Sequence, residues 1–345
     1  MTSTPEAVFQ VGGSISWRSP RATLQEYVDG LRASGVGVVP GSGGTYWVSS
    51  PERIVRRLPT FCIEPPDAAE VDHALTTTNG LIASYVSEPA DGQAANAWVY
   101  LCSDPDYSLR QRAPAMQRNV RRALRELTIA PLTVAELLAH GARAFCDTRW
   151  RARLDDGTSS GFRRYFEGLL DHPGRSFLGA WRNGELAAFL AIVRVDDWVE
   201  VGSFSMTEML RYRPNDALMY ALLSTSLGDR SCRVVSYGLS SIEPQTSAVG
   251  LHRFKLKVGF QPFPVHRAFV LHPLVRPLAN RATLTAASLA VNGLLQLRPR
   301  HRRLKKLGGM LASMLGATSM MEPATATGSP SSSGGDLRRG PLCAT

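Results

Sequence analysis

The stretch Phe177-Leu-Gly-Ala-Trp-Arg-Asn-Gly-Glu-Leu-Ala-Ala-Phe-Leu-Ala-Ile-Val-Arg-Val195-Asp-Asp-Trp-Val-Glu-Val-Gly-Ser-Phe-Ser205 reads as three consecutive strands. Asn183-Gly184 is a two-residue hairpin signal, because a tight hairpin turn needs positive φ and Asn and Gly tolerate it best. Phe177 to Trp181 and Leu186 to Val195 flank it as strands. Asp196-Asp197 marks a second turn, and Val199 to Ser205 a third strand. Downstream, Pro214 opens a long helix ending near Leu227, its fixed φ and missing N–H suiting a first helical position. Val234 to Leu239 then reads as a strand, Val249 to Val258 as a helix and Val265 to Leu271 as a last strand. Upstream lie a basic helix, Pro114 to Glu126, and a short strand, Thr128 to Pro131. A helix follows from Val134 to Trp150, with apolar residues at 134, 137, 138, 142 and 145. Ser159 or Ser160 caps the next, through Phe162, Tyr165, Phe166, Leu169 and Leu170. A run of adjacent strands followed by a crossover helix and a further strand is neither doubly wound nor a closed barrel. The class expected is α/β, with a mixed sheet.

Three segments carry a family resemblance: Gln117-Arg-Asn-Val-Arg-Arg-Ala-Leu-Arg125, Arg211-Tyr-Arg-Pro-Asn-Asp-Ala-Leu-Met219, and Tyr237-Gly-Leu-Ser-Ser241 followed by Gly250-Leu-His-Arg-Phe-Lys-Leu-Lys-Val-Gly-Phe260. The last is the most specific: it is similar to the F-G-R-S and G-x-x-R-F-K-x-x-x-G-F pattern of the FemAB-like branch of GNAT acyltransferases. The resemblance covers about half the chain well. It implies a GNAT fold, a sheet splayed in its middle, an acyl donor held in the splay, and a tandem arrangement of two GNAT-like halves. The domains expected on this basis are 1–113, a diverged first half; 114–273, the acyltransferase domain; 274–321, an apolar helix and basic segment; and 322–345, a Ser/Gly/Thr/Pro-rich tail too polar to order itself.

The donor implied by the resemblance is acetyl-CoA or another acyl-CoA. Its pyrophosphate needs N–H groups and positive potential, which a helix start supplies. Arg211, Tyr212, Arg213, Pro214, Asn215 and Asp216 are the candidates, although the turn lacks the glycines usual in GNAT proteins and also reads as an ordinary Pro-started helix. His252, Arg253, Lys255 and Lys257 share the last helix, where Leu251, Phe254 and Val258 are expected to form its buried stripe. The basic side chains then face either donor phosphates or solvent. Acyl transfer also needs a base for the acceptor and an acid for the leaving group. Glu200 is the candidate base, with Ser203 beside it, and Tyr237 and Ser240 end the next strand where a phenol can return a proton. Solvent exposure of Glu200 and simple packing of Tyr237 and Ser240 stay open. Leu239 stands where the family carries Arg, so one cationic contact is missing. No His/Asp/Glu cluster has metal spacing, and no metal is expected.

Hydrophobic residues at 44% and charged residues at 20% fit a globular chain with an ample core. The glycine-rich stretch from Gly35 to Gly44 lacks the G-K-[S/T] ending of a P-loop and reads as a turn. The cysteines at 62, 102, 146, 232 and 343 have no C-x-x-C spacing, and neither a secretory leader nor a spanning helix is read, so a cytoplasmic protein is expected. The net charge of +10 favours anionic partners, and Arg298, Arg300, Arg302, Arg303, Lys305 and Lys306 fall in one run. The acceptor expected is a small molecule or glycan precursor. Two further readings stay open: an aminoacyl-tRNA-dependent transferase, and an anionic membrane surface, peripheral at the inner membrane face, met through 274–306.

Overall fold

The computed structural model describes residues 17–319 apart from 153, 155, 156, 167–171, 229, 230, 242–245, 279, 299 and 300. The tail 322–345 lies outside the described residues. In chain order the elements are α1 (Leu24–Ala33), β1 (Val38–Pro40), β2 (Tyr46–Ser49), β3 (Ile54–Leu58), α2 (Ala68–Thr77), β4 (Ile82–Ser87), β5 (Ala97–Cys102), α3 (Pro114–Glu126), β6 (Thr128–Leu132), α4 (Val134–Arg151), α5 (Ser159–Phe166), β7 (Arg175–Arg182), β8 (Glu185–Val195), β9 (Trp198–Ser205), α6 (Pro214–Gly228), β10 (Val234–Ser241), α7 (Thr246–Val258), β11 (Gln261–Leu271), α8 (Arg281–Leu297) and α9 (Arg302–Ser319). Three short 3-10 turns complete the list, at Leu109–Gln111, Glu208–Tyr212 and Arg276–Leu278.

The local chemistry explains most boundaries. Thr23 and Thr133 cap α1 and α4 in capping boxes with Glu26 and Glu136, so donors at each helix start are satisfied by side chains. Asp67 caps α2, which therefore starts after the Pro65-Pro66 pair. Helix α7 ends in a Schellman arrangement: the Phe260 N–H donates to Lys255 O (3.0 Å) and the Gly259 N–H to Leu256 O (3.1 Å). Gly259 takes φ +113°, and a Cβ there would stand 2.6 Å from the Arg112 guanidinium and 2.9 Å from the Tyr107 ring. Only glycine fits this position. The basic residues from Arg302 on fall inside α9.

The chain divides into two compact units that cut across the linear division expected from sequence. Unit 1 comprises residues up to 35, 98–263 and 300–302. Its strands lie in the order β5-β10-β9-β8-β7-β6. Strands β6 to β9 are antiparallel neighbours, and β10 runs parallel to β9. Helices α4 and α6 pack on this sheet. Under α4 and α5 an aromatic cluster closes the core: Phe166 meets Phe145, Phe162, Tyr165, Phe177, Phe189 and Phe204 at centroid distances of 4.9–6.1 Å, within the range where tilted and edge-on ring pairs attract. The segment before α1 docks on the same unit through the parallel bridge Ala22–Val195 and the Ser19–Ser176 hydrogen bond of 2.7 Å.

Unit 2 comprises 36–97, 264–299 and the residues from 303 on. Its strands lie in the order β1-β2-β3-β4-β11. Strands β1, β2 and β3 form an antiparallel meander, β4 runs parallel to β3, and β11 closes the sheet antiparallel to β4. The core is Val39, Trp47, Val55, Val71, Ala74, Leu75 and Ala83. The order of meander, crossover helix and parallel strand thus occurs twice in the chain, as expected for two GNAT-like halves. Each sheet is completed by a strand distant in sequence: β5 in unit 1 and most of β11 in unit 2.

Candidate functional site

In unit 1 the parallel strands β9 and β10 pair only from Trp198–Val234 to Glu200–Ser236, yet they run on to Ser205 and Ser241. Beyond Ser236 they part, and polar side chains occupy the gap. The Tyr237 phenol hydrogen-bonds the Ser203 hydroxyl across the gap. Burial pushes the Tyr237 phenol up to about 12, against the opposing effect of its Ser203 partner, so it stays protonated at neutral pH.

Beside Tyr237 lies Lys255 of α7, only 1% exposed. Its Nζ donates to Ser240 Oγ at 3.0 Å. The same ammonium sits 3.9 Å from the centroid of the Tyr100 ring and 4.7 Å from that of Tyr237, an arrangement in which two π faces replace part of its hydration. Burial pulls Lys255 down to about 7. Burial raises the Tyr100 phenol and the neighbouring Ser240 hydroxyl acts against it; Tyr100 in turn meets His252 Nδ1 at 2.7 Å. Polar groups therefore line up from Lys255 past Ser240 and Tyr100 to the half-buried His252.

The other face of α7 points elsewhere. Gly250, Arg253, Phe254 and Lys257 line a cavity of about 360 Å³ together with Leu210, Arg213, Pro214, Asn215 and Asp216 at the start of α6. Asp216 is buried and pairs with Lys257, a placement that also suits a carboxylate at a positive helix end. Arg213 takes the left-handed conformation (φ 61°) at the turn where GNAT proteins usually have glycine. Its carbonyl accepts from the Asp216 and Ala217 N–H groups at 3.1 and 3.4 Å. Arg151 and Thr148 of α4 fix the end of β9 by bonds to Ser205, whose hydroxyl also accepts from Asn215 Nδ2 at 3.2 Å. The splay and the α6 start are thereby tied together.

The structure gathers some of the sequence-read candidates and separates others. Ser203, Tyr237 and Ser240 share the gap between strands. Glu200 does not join them. It sits where β9 and β10 still pair, on the strand face opposite to Ser203, and its charge acts on Tyr27 beside Arg175. Arg213, Pro214, Asn215, Asp216 and Arg253 line the cavity. Arg211 and Tyr212 do not; the Arg182 and Arg211 guanidinium groups lie 4.0 and 4.8 Å from the centroid of the Tyr212 ring. His252 and Lys255 also turn away from the cavity, into the line of polar groups. The expected buried stripe of α7 is corrected as well: Leu251 is exposed, and Lys255 takes an inside position. Tyr100 was not legible as a site residue, because it belongs to a strand more than a hundred residues before α7. Among the described residues no three of His, Cys, Asp and Glu stand close enough to hold a metal ion.

No family model matches the chain, and no curated protein matches it. Among solved structures it is similar to FemX, with 11% identity, 75% of this chain and 94% of that one covered, and a TM-score of 0.50. A GCN5-related N-acetyltransferase from Kribbella flavida is 15% identical over 72% of this chain and 93% of its own, with a TM-score of 0.41. L-PGS from Bacillus licheniformis is 10% identical over 76% and 96%, with a TM-score of 0.42. At these identities the likeness is one of fold. The chain has a GNAT-type fold.

Proposed function

We propose that unit 1 is an acyltransferase that moves an acyl group from an acyl-CoA, acetyl-CoA foremost, to the amine or hydroxyl of a small molecule or glycan precursor. The observation that carries this reading is the buried lysine at the mouth of the strand splay. A GNAT-type splay holding Lys255, Tyr237, Ser203 and Ser240 offers a base near neutral pKa and a hydrogen-bond donor within one small volume. The acceptor nitrogen or oxygen bonds to the acyl carbonyl carbon, and its proton passes to the neutral Lys255 amine. A base with a pKa close to the working pH serves this step best. The Tyr237 O–H, held protonated, donates to the oxyanion and then to the thiolate as the acyl–sulfur bond breaks. The proton taken up by Lys255 then goes to the Tyr237 phenolate beside it, which restores the neutral amine and the phenol.

The cations Arg213, Arg253 and Lys257 in the cavity at the α6 start suit the donor's phosphates. The Asp216 carboxylate and the occupied amides in the same turn act against them. That observation favours a second reading, in which the donor is an aminoacyl-tRNA ester whose phosphates lie outside this turn. Thermal unfolding with acetyl-CoA and longer acyl-CoAs separates the two, backed by chromatographic detection of free CoA in the presence of a panel of amines. The first reading expects stabilisation and CoA release; no stabilisation by any acyl-CoA, with protection by aminoacyl-tRNA, establishes the second. A cytoplasmic location accompanies either reading.

A further inference from the structure

Helix α8 of unit 2 has two apolar faces, and the described residues cover only one. Leu284 and Val291 are buried and pack with Leu311 of α9, with Ala287 and Leu295 at the margin of the cluster. The approach is close: a Cβ on Gly308 of α9 would stand 3.5 Å from Val291 and 3.7 Å from Leu295. On the other side Ala282, Ala286, Leu289, Ala290, Gly293, Leu294 and Leu297 are all exposed, and their spacing places them on one broad face of a 3.6-residue helix. Leu289 is 68% exposed and Leu297 80%. From Ala282 to Leu297 the helix contains no Asp, Glu, Lys or Arg. A solvent-facing surface helix normally carries charge on its outer face, so this one is built to be covered.

The charge pattern around it identifies the cover. From Pro244 to Met321 the sequence has no aspartate or glutamate, while Arg298, Arg300, Arg302, Arg303, Lys305 and Lys306 follow directly on the apolar face. Arg298, the residue that ends α8, is exposed beside Leu297. A row of leucines followed in sequence by cations and free of acids matches the boundary between acyl chains and anionic headgroups. Nucleic acid would use the cations but not the leucines, and no aromatic ring for base stacking stands on this face. No helix among the described residues is long and apolar enough to cross a bilayer. We infer that α8 and the basic run after it dock this protein on the surface of an anionic lipid bilayer, with Leu289, Leu294 and Leu297 inserted and the cations at the headgroups. The inference is independent of the transferase reading.

The test is co-sedimentation of the full chain with vesicles of phosphatidylcholine alone and of phosphatidylcholine mixed with phosphatidylglycerol. The chain should sediment with the mixed vesicles, weakly or not at all with the neutral ones, and less as salt rises. Leu289→Glu with Leu297→Glu should abolish sedimentation while leaving the thermal transition in place, since both side chains are exposed. Arg302→Gln with Arg303→Gln leaves the stripe intact and should weaken binding about fivefold per cation removed. Failure of the wild-type chain to bind the anionic vesicles overturns the inference. So does unchanged binding by the Leu289→Glu/Leu297→Glu chain, salt-sensitive binding of RNA in place of vesicles, or a dimer in light scattering that this double substitution splits while vesicles remain unbound.

Discussion

The residue on which the site turns is Lys255, and its burial has a sign that can be measured. Its pKa in the folded chain is about 7 against 10.5 when free. Between these values the unfolded chain binds a proton that the folded chain does not, so this residue makes stability rise with pH across that window and costs most below it. Lys255→Met should therefore gain stability relative to the wild type near pH 6 and lose that advantage towards pH 10–11, read as the difference in urea midpoints at a series of pH values. Charge held by the Tyr100 and Tyr237 rings reduces the gain, and a difference flat with pH would show that Lys255 stays fully charged when folded. The same substitution should lower acyl transfer by about 10²–10⁴-fold, the range spanned by loss of a general base. Sequence pattern alone missed this placement. Arg253, Lys255 and Lys257 alternate along α7, and helical periodicity does not say which of three neighbouring cations turns inward. The decision is made by Tyr100 and Tyr237, which offer ring faces on one side of α7 only.

At the scale of elements, α6 and α7 are joined by the Asp216–Lys257 pair, and the two partners are unequally buried. The Asp216 side chain is 5% exposed and that of Lys257 27%. Lys257→Met strands a buried carboxylate and should destabilise by about 3 kcal/mol, whereas Asp216→Asn leaves an ammonium that can reach water and should cost less. The double substitution should cost less than the sum of the two, a coupling that chemical denaturation of the four chains would measure. Additive costs would mean that the pair does not hold the helices together. Elements with ordinary signals were legible in advance: the Asn183-Gly184 hairpin, the Pro214 helix start, and the apolar spacing of α4. Strand β3 was not, because Ile54-Val-Arg-Arg-Leu58 carries two adjacent arginines. Arg57 lies inside at 2% exposure, donating to Thr45 Oγ1 (3.1 Å) and to the Glu64 carbonyl. A buried cation with polar partners breaks the apolar alternation by which strands are read.

At the scale of the whole molecule, unit 1 is not a contiguous piece of chain, and this decides how it can be cut. A fragment of residues 114–273 follows the linear boundary yet removes β5, the docking segment before α1, and Tyr107. Strand β10 would then lose its β5 neighbour, exposing unpaired N–H and C=O groups along an edge. Lys255 would lose the Tyr100 ring, and the Val258 carbonyl at the end of α7 would lose the Tyr107 hydroxyl that donates to it at 2.6 Å. Starting the fragment at residue 98 restores all three contacts. Joining residues 17–35 to that fragment by a flexible linker also restores the Ala22–Val195 bridge and the 3.2 Å bond from the Leu24 N–H to Asp196 that anchors α1. The expected order of urea midpoints is therefore the linked chain first, residues 98–273 second, and residues 114–273 last, with a broad transition and dye-binding apolar surface in the shortest. A sharp transition in 114–273 at the midpoint of the linked chain would show that β5 contributes nothing to unit 1. The site would then have to be rebuilt without Tyr100, and the line of polar groups to His252 would lose its middle member.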